Sequence, residues 1–156
     1  MILESQAFTQ NQLIPREHTA DGVDVSPALV WSGIPPTTSE LALIVDDPDA
    51  PTAEPWVHWI LYKIPPSTTE LIEHIPSVLR VAALGGALQG KNSWPDRIGY
   101  SGPEPPRGHG LHHYHFQLYA LNAPLDLEPG VDKASLLAAM QGHILATGEL
   151  VGTYER

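Results

Sequence analysis

A chain of 156 residues with 42% hydrophobic content is long enough to bury one core and too short for two. Its 18 acidic residues outnumber 8 basic ones, giving a formal net charge of -10. No Lys/Arg cluster offsets that field, which excludes nucleic acid as a partner and disfavours anionic membrane surfaces; the absence of cysteine excludes disulfides and thiol chemistry.

The 16 prolines are spread along the chain. They read as turn punctuation inside a single domain over residues 1–156 rather than as a linker, and they argue against a helical bundle. The opening Met-Ile-Leu-Glu-Ser has neither the basic nor the apolar part of a signal peptide, and no stretch approaches ~18 consecutive apolar residues. A cytoplasmic protein without membrane insertion is expected.

In chain order, Ile2 to Phe8 is a candidate first strand. Turn signals follow at Asp21-Gly22 and Ser26-Pro27. Leu41 to Val45 is a short apolar run that stops at Asp46-Asp47-Pro48, the pattern of a buried strand. Trp56 to Ile64 is rich in aromatic and branched residues; strict alternation there puts Trp56, His58, Ile60 and Tyr62 on one face. By the same rule His112, Tyr114, Phe116 and Leu118 share one face of His112–Leu121, with His113, His115, Gln117 and Tyr119 on the other. Helical periodicity is confined to the tail. Asp132 is the expected N-cap, Leu136, Leu137, Met140, Ile144 and Leu145 form the apolar stripe, and Gly148 suits the end. Leu150 to Tyr154 adds a last strand. The sum is a mainly β, α+β fold with antiparallel sheets and a helix near the C-terminus.

Three clusters carry chemistry. Asp46-Asp47-Pro48-Asp49-Ala50-Pro51 reads first as a surface turn. Its carboxylates could also orient an imidazole, but they lack the spacing of a calcium loop. His58 lies inside an apolar strand, where a histidine is usually a satisfied core residue; the nearby carboxylates raise its functional weight. The densest cluster runs from Gly99 to Tyr114. Glycines at 99, 102, 108 and 110 let backbone amides turn together toward an anion, and His112 and Tyr114 add side-chain donors. Strand alternation separates His112 from His113 and His115, so a zinc set with His109 is not expected, and no cofactor is implied. Gly99-Tyr-Ser101-Gly-Pro103 only approximates a nucleophile elbow; the alternative function is a hydrolase of small esters or phosphoesters using a pocket histidine, His58 or His112, as base.

Taken together, Asp47-Pro-Asp-Ala-Pro51, Trp56-Val-His58-Trp59 and Gly102-Pro103…Pro105-Pro106…Gly108…Gly110-Leu-His112-His-Tyr114 resemble the phosphatidylethanolamine-binding protein family. Ser26-Pro-Ala-Leu-Val-Trp31 and Phe116-Gln-Leu-Tyr-Ala-Leu121 also resemble the family, and the helix ending in Leu145-Ala-Thr-Gly-Glu-Leu-Val-Gly152 is similar to that of its compact prokaryotic branch. The resemblance implies a central antiparallel sheet, a smaller second sheet and peripheral helices. It also implies a non-enzymatic pocket for phosphate, acetate or phosphoethanolamine-like groups. Asp47 and His58 would line this pocket, Pro106 shape its wall, and His112 and Tyr114 complete it, with Asp49, Trp56, Gly108 and Gly110 in support. Regulation or inhibition of a kinase or serine protease through a protein partner, and a homodimer, are further expectations from the family. In such a site a protonated His58 or His112 would supply the positive charge.

Overall fold

Alternation and proline punctuation resolve into nine strands and one helix in the computed structural model, which describes residues 1–156. The strands are β1 (Ile2–Glu4), β2 (Leu29–Ser32), β3 (Glu40–Asp47), β4 (Trp56–Ile64), β5 (Glu70–Leu71), β6 (Arg80–Val81), β7 (Ala87–Gln89), β8 (His112–Leu121) and β9 (Ile144–Tyr154). The helix α1 (Lys133–Met140) precedes β9. Strands in the order β6-β7-β4-β3-β8-β9 form a six-stranded sheet, and β1-β2-β5 a three-stranded one. All pairings are antiparallel. No helix is long and apolar enough to cross a membrane.

The reason β3 lies at the centre is its composition. Every residue in it is buried. Leu41, Leu43 and Val45 enter the larger core between the two sheets, where they meet Leu3, Trp31 and Leu71 of the small sheet. Ala42 and Ile44 face the opposite way, into a second core closed by Leu125, Leu136 and Met140. A strand covered on both faces reads as a continuous apolar run, whereas β8 is covered on one face and alternates. Phe116 and Leu118 accordingly reach the inter-sheet core while Gln117 and Tyr119 stay partly exposed.

Two irregularities adjust the faces of β4. Val45 pairs with Trp59 but Asp46 pairs with Val57, so His58 is the extra residue of a bulge. The expected face of Trp56, His58, Ile60 and Tyr62 is therefore broken. Ile60 and Tyr62 point to the helix-side core, while His58 turns the other way and packs edge-to-face on Tyr114 at 5.1 Å. A second register shift lies between Leu41 and Leu43, opposite Lys63, whose φ is 53°. Trp59 is pinned by donating from Nε1 to Gln89 Oε1 at 2.7 Å, and Gln89 Nε2 in turn donates to the carbonyls of Pro76 and Val78. This buried amide is fully partnered.

The tail departs from its periodicity. Asp132 caps α1 as expected, accepting from Ser135 N at 2.9 Å. The helix, however, ends at Met140, Gly142 turns the chain at φ 83°, and Ile144 begins β9. Ile144 and Leu145 are more than one-third exposed. The ladder along β8 from Leu121↔Ile144 to His112↔Tyr154 outweighs the helical stripe. Gly148 is not a cap; it sits in this ladder against Met1, where a Cβ would lie 3.1 Å from the Met1 carbonyl oxygen. Likewise β1 stops at Glu4 rather than Phe8.

Of the five apolar tail residues, only Leu136 and Met140 are buried. Leu136→Ala should therefore lower the unfolding free energy by about 2–5 kcal/mol, and Leu137→Ala by less than about 0.5 kcal/mol. Urea denaturation of the two variants checks the difference; equal losses would contradict the helix placement.

Candidate functional site

One end of the inter-sheet space is lined by polar side chains instead of aliphatic ones. β3 delivers Asp47 there, the bulge delivers His58, and the first residues of β8 deliver His112 and Tyr114. With Pro105, Pro106, Trp56, Trp94 and Arg156 they border a cleft of ≈ 320 Å³. That volume lies at the low end for ligand clefts, roughly 300–1,000 Å³, and suits a headgroup-sized group. A depression of ≈ 780 Å³ along 65–85 is larger, but no imidazole lines it.

The imidazoles are held by different partners. His112 Nδ1 lies 2.6 Å from Asp47 Oδ2, and both side chains are buried. Asp47 Oδ1 accepts from the Asp49 amide at 2.8 Å, so both carboxylate oxygens are engaged. On its other side, His112 Nε2 lies 2.6 Å from His109 Nδ1. The result is a chain from exposed His109 through buried His112 to Asp47. His58 is oriented by backbone rather than by a carboxylate: its Nδ1–H donates to the Ser101 carbonyl at 2.6 Å. Its Nε2 is thereby left as an acceptor.

Burial depresses the basicity of His58 to a pKa of about 4, against the favourable hydrogen bonding at Ser101. His58 is thus neutral near pH 7, and the expected role of a protonated His58 does not apply. The Tyr114 hydroxyl is pushed well above the usual phenol range by burial and by the nearby Asp47 charge, so it remains a donor. It has no hydrogen-bond partner, and neither has Arg156 Nε. The latter sits 3.2 Å from Asp21 Oδ1 but out of hydrogen-bond alignment. These two are the buried unpartnered side-chain polar atoms, and both belong to residues of this cleft.

The structure brings Asp47, His58, Pro106, His112, Tyr114 and Trp56 to one cleft. Asp49 stands outside it and accepts from both the amide and Nδ1 of His113 at 2.8 Å. Burial raises its pKa, but the His113 hydrogen bonds outweigh this and hold the carboxyl below its ordinary value. Gly108 and Gly110 do not line the cleft; they adopt φ of 75° and 92° on either side of His109 and let that ring reach His112. Gly102 is required by close approach, since a Cβ there would fall 2.2 Å from the His18 carbonyl oxygen. Sequence reasoning missed Trp94, His109 as a partner of His112, and Arg156. The separation of His112 from Arg156 along the chain hides that last meeting, though the pairing of β8 with β9 produces it.

Two antiparallel sheets with a histidine- and carboxylate-lined cleft at one end define a class of small β-rich binding folds. The phosphatidylethanolamine-binding protein model matches residues 4–155. The chain is 48% identical to a UPF0098 protein of Pyrococcus horikoshii over 97% of this chain and 75% of that protein. Among solved structures, the homologue CT736 of Chlamydia trachomatis superposes with a TM-score of 0.86 at 42% identity, covering 99% of this chain and 96% of that one. YbcL of E. coli gives 0.89 at 30% identity, covering 99% and 98%. The chain belongs to the phosphatidylethanolamine-binding protein family, and its relatives here are archaeal and bacterial.

The depressed His58 pKa has a signed consequence. Below about pH 6.5 the unfolded chain takes up a proton at this position that the folded one refuses until about pH 4. Stability from this group is complete above pH 6.5 and falls by roughly 2 kcal/mol between pH 6.5 and 5. His58→Asn keeps an N–H for the Ser101 carbonyl and removes the titration. Urea midpoints at the two pH values should fall more steeply for the wild type than for this variant; parallel declines would refute a neutral buried His58.

Proposed function

We propose that the cleft binds a small phosphate-like anion, such as the phosphate of a phosphorylated headgroup, without chemistry on it. The observation that carries this reading is the pair of buried donors, the Tyr114 hydroxyl and Arg156 Nε, which lack partners and border one cleft. Buried donors left unpaired are costly, and an oxygen-rich anion satisfies both. Arg156, which a bound anion would share with the Asp21 carboxylate 3.2 Å away, takes the cationic role that the sequence reading sought in histidine. The Nε2 acceptor of His58 adds a requirement for a ligand hydrogen. A monoprotonated phosphate, or an ammonium carried beside the phosphate, meets it, whereas acetate does not.

The hydrolase alternative, with His58 or His112 as base, gains no nucleophile from Ser101. Ser101 is buried, receives Asn92 Nδ2 on its hydroxyl at 3.1 Å, and is not among the cleft residues. Thr52 and Glu104–Pro106 form the mouth of the cleft, so a kinase or protease held by these loops would compete with the ligand.

Trp56 and Trp94 border the cleft and provide a fluorescence signal. Titration with inorganic phosphate or phosphoethanolamine should saturate. Tyr114→Phe should weaken binding by about 2- to 10-fold and Arg156→Gln by about 10- to 100-fold, the difference between a neutral and a charge-assisted hydrogen bond. Absence of a saturable response to either ligand would defeat the proposal.

A further inference from the structure

Away from the cleft, His18 is 1% exposed, yet its Nε2 has no hydrogen-bond partner. Its Nδ1 lies 2.8 Å from the Val25 carbonyl oxygen, so the ring proton is there and Nε2 presents a lone pair. That lone pair faces Glu17 Oε1 at 3.7 Å and Glu73 Oε1 at 3.6 Å. The three ligand atoms lie within 4.8 Å of one another. No lysine or arginine forms an ion pair with either glutamate. Two carboxylates converging on an imidazole lone pair repel one another unless a cation stands between them.

We propose that Glu17, His18 and Glu73 bind a divalent first-row transition ion, with zinc as the test case. The donor set, one imidazole and two carboxylates, suits zinc and leaves a position for water. Ligand atoms around a tetrahedral zinc are separated by roughly 3.3–3.5 Å, from bond lengths of about 2.0–2.2 Å. The His18–carboxylate separations exceed this by only a few tenths of an ångström. A hydrogen-bonded imidazolium would instead draw one carboxylate to about 2.8 Å.

The histidine is held as a ligand should be. Its backbone carbonyl accepts from the Tyr100 hydroxyl at 2.6 Å, and its Nδ1–H···O=C bond fixes the ring in the manner of metal-ligating histidines. On the other side, the His74 and Ile75 amides donate to Ser26, setting the chain that carries Glu73. The carboxylates are more than half exposed, so they can close on an ion without repacking. A bound ion would join the turn at Arg16–His18 to the segment after β5, across 54 intervening residues.

Zinc titration by calorimetry on the full chain tests this, because Glu17→Gln/Glu73→Gln changes exposed side chains and preserves the fold. The wild type should bind one zinc more than the double variant, the histidines at 109–115 being common to both. Saturating zinc should also raise the melting temperature of the wild type more than that of the variant. Equal stoichiometry and affinity in the two proteins would overturn the site, as would an equal zinc-induced shift in melting temperature.

Discussion

The cleft depends on how β3 ends. A strand buried on both faces delivers two adjacent carboxylates, and alternation sends them in opposite directions. Asp46 turns toward the helix side, where Lys133 of α1 meets it at 2.5 Å. Asp47 turns toward the inter-sheet side and meets His112 at 2.6 Å. Each charge would be expensive to bury alone. The first pair ties the helix to the sheet; the second orients an imidazole. The cleft's polarity is therefore the continuation of a structural necessity, since a core strand cannot stop in carboxylates without partners for them.

The bulge at His58 is the second constraint. Without it, alternation would place that ring beside Ile60 and Tyr62, away from Tyr114. One extra residue reverses the face locally and puts His58 between Trp94, at 5.0 Å, and Tyr114, at 5.1 Å. The aromatic surroundings that orient the ring also desolvate it, which is why it is neutral rather than cationic. Arg156, supplied by the segment after β9, is the arginine that borders the cleft, and its Nε stands 3.2 Å from Asp21 Oδ1. In a protein of net charge -10, this guanidinium stands against a strongly negative background.

Much of this was legible in the sequence because it rests on local pattern. The apolar run of β3, the alternation of β8 and the Asp132 cap were visible as residue spacing. His112 and Tyr114 could be placed together because alternation settles the faces of β8, whereas Asp47 was assigned by the family resemblance. What failed were features decided by pairing across the sheet. A bulge is a mismatch between two strands and leaves no mark on either alone, so the face of His58 was misassigned. The helix was overextended because Ile144 and Leu145 fit its stripe, while the hydrogen-bonding edge of β8 that captured them lies more than twenty residues earlier. Arg156 and the meeting of Glu17 and His18 with Glu73 are tertiary events of the same kind.

Packing and hydrogen bonding pull against each other at Tyr114. Its ring is 1% exposed and belongs to the inter-sheet core, where phenylalanine would fill nearly the same space. An unpartnered buried hydroxyl costs on the order of 1–3 kcal/mol relative to a satisfied one, so packing alone favours the phenyl ring. Phe116, two residues along the same face, shows that the strand accommodates one. The hydroxyl has no partner among the fold's own hydrogen bonds, and Tyr114 borders the cleft together with Arg156 and His58. A donor kept at a net expense to the core, beside an Arg156 Nε that also lacks a hydrogen bond, belongs to a fold kept for binding rather than for packing alone.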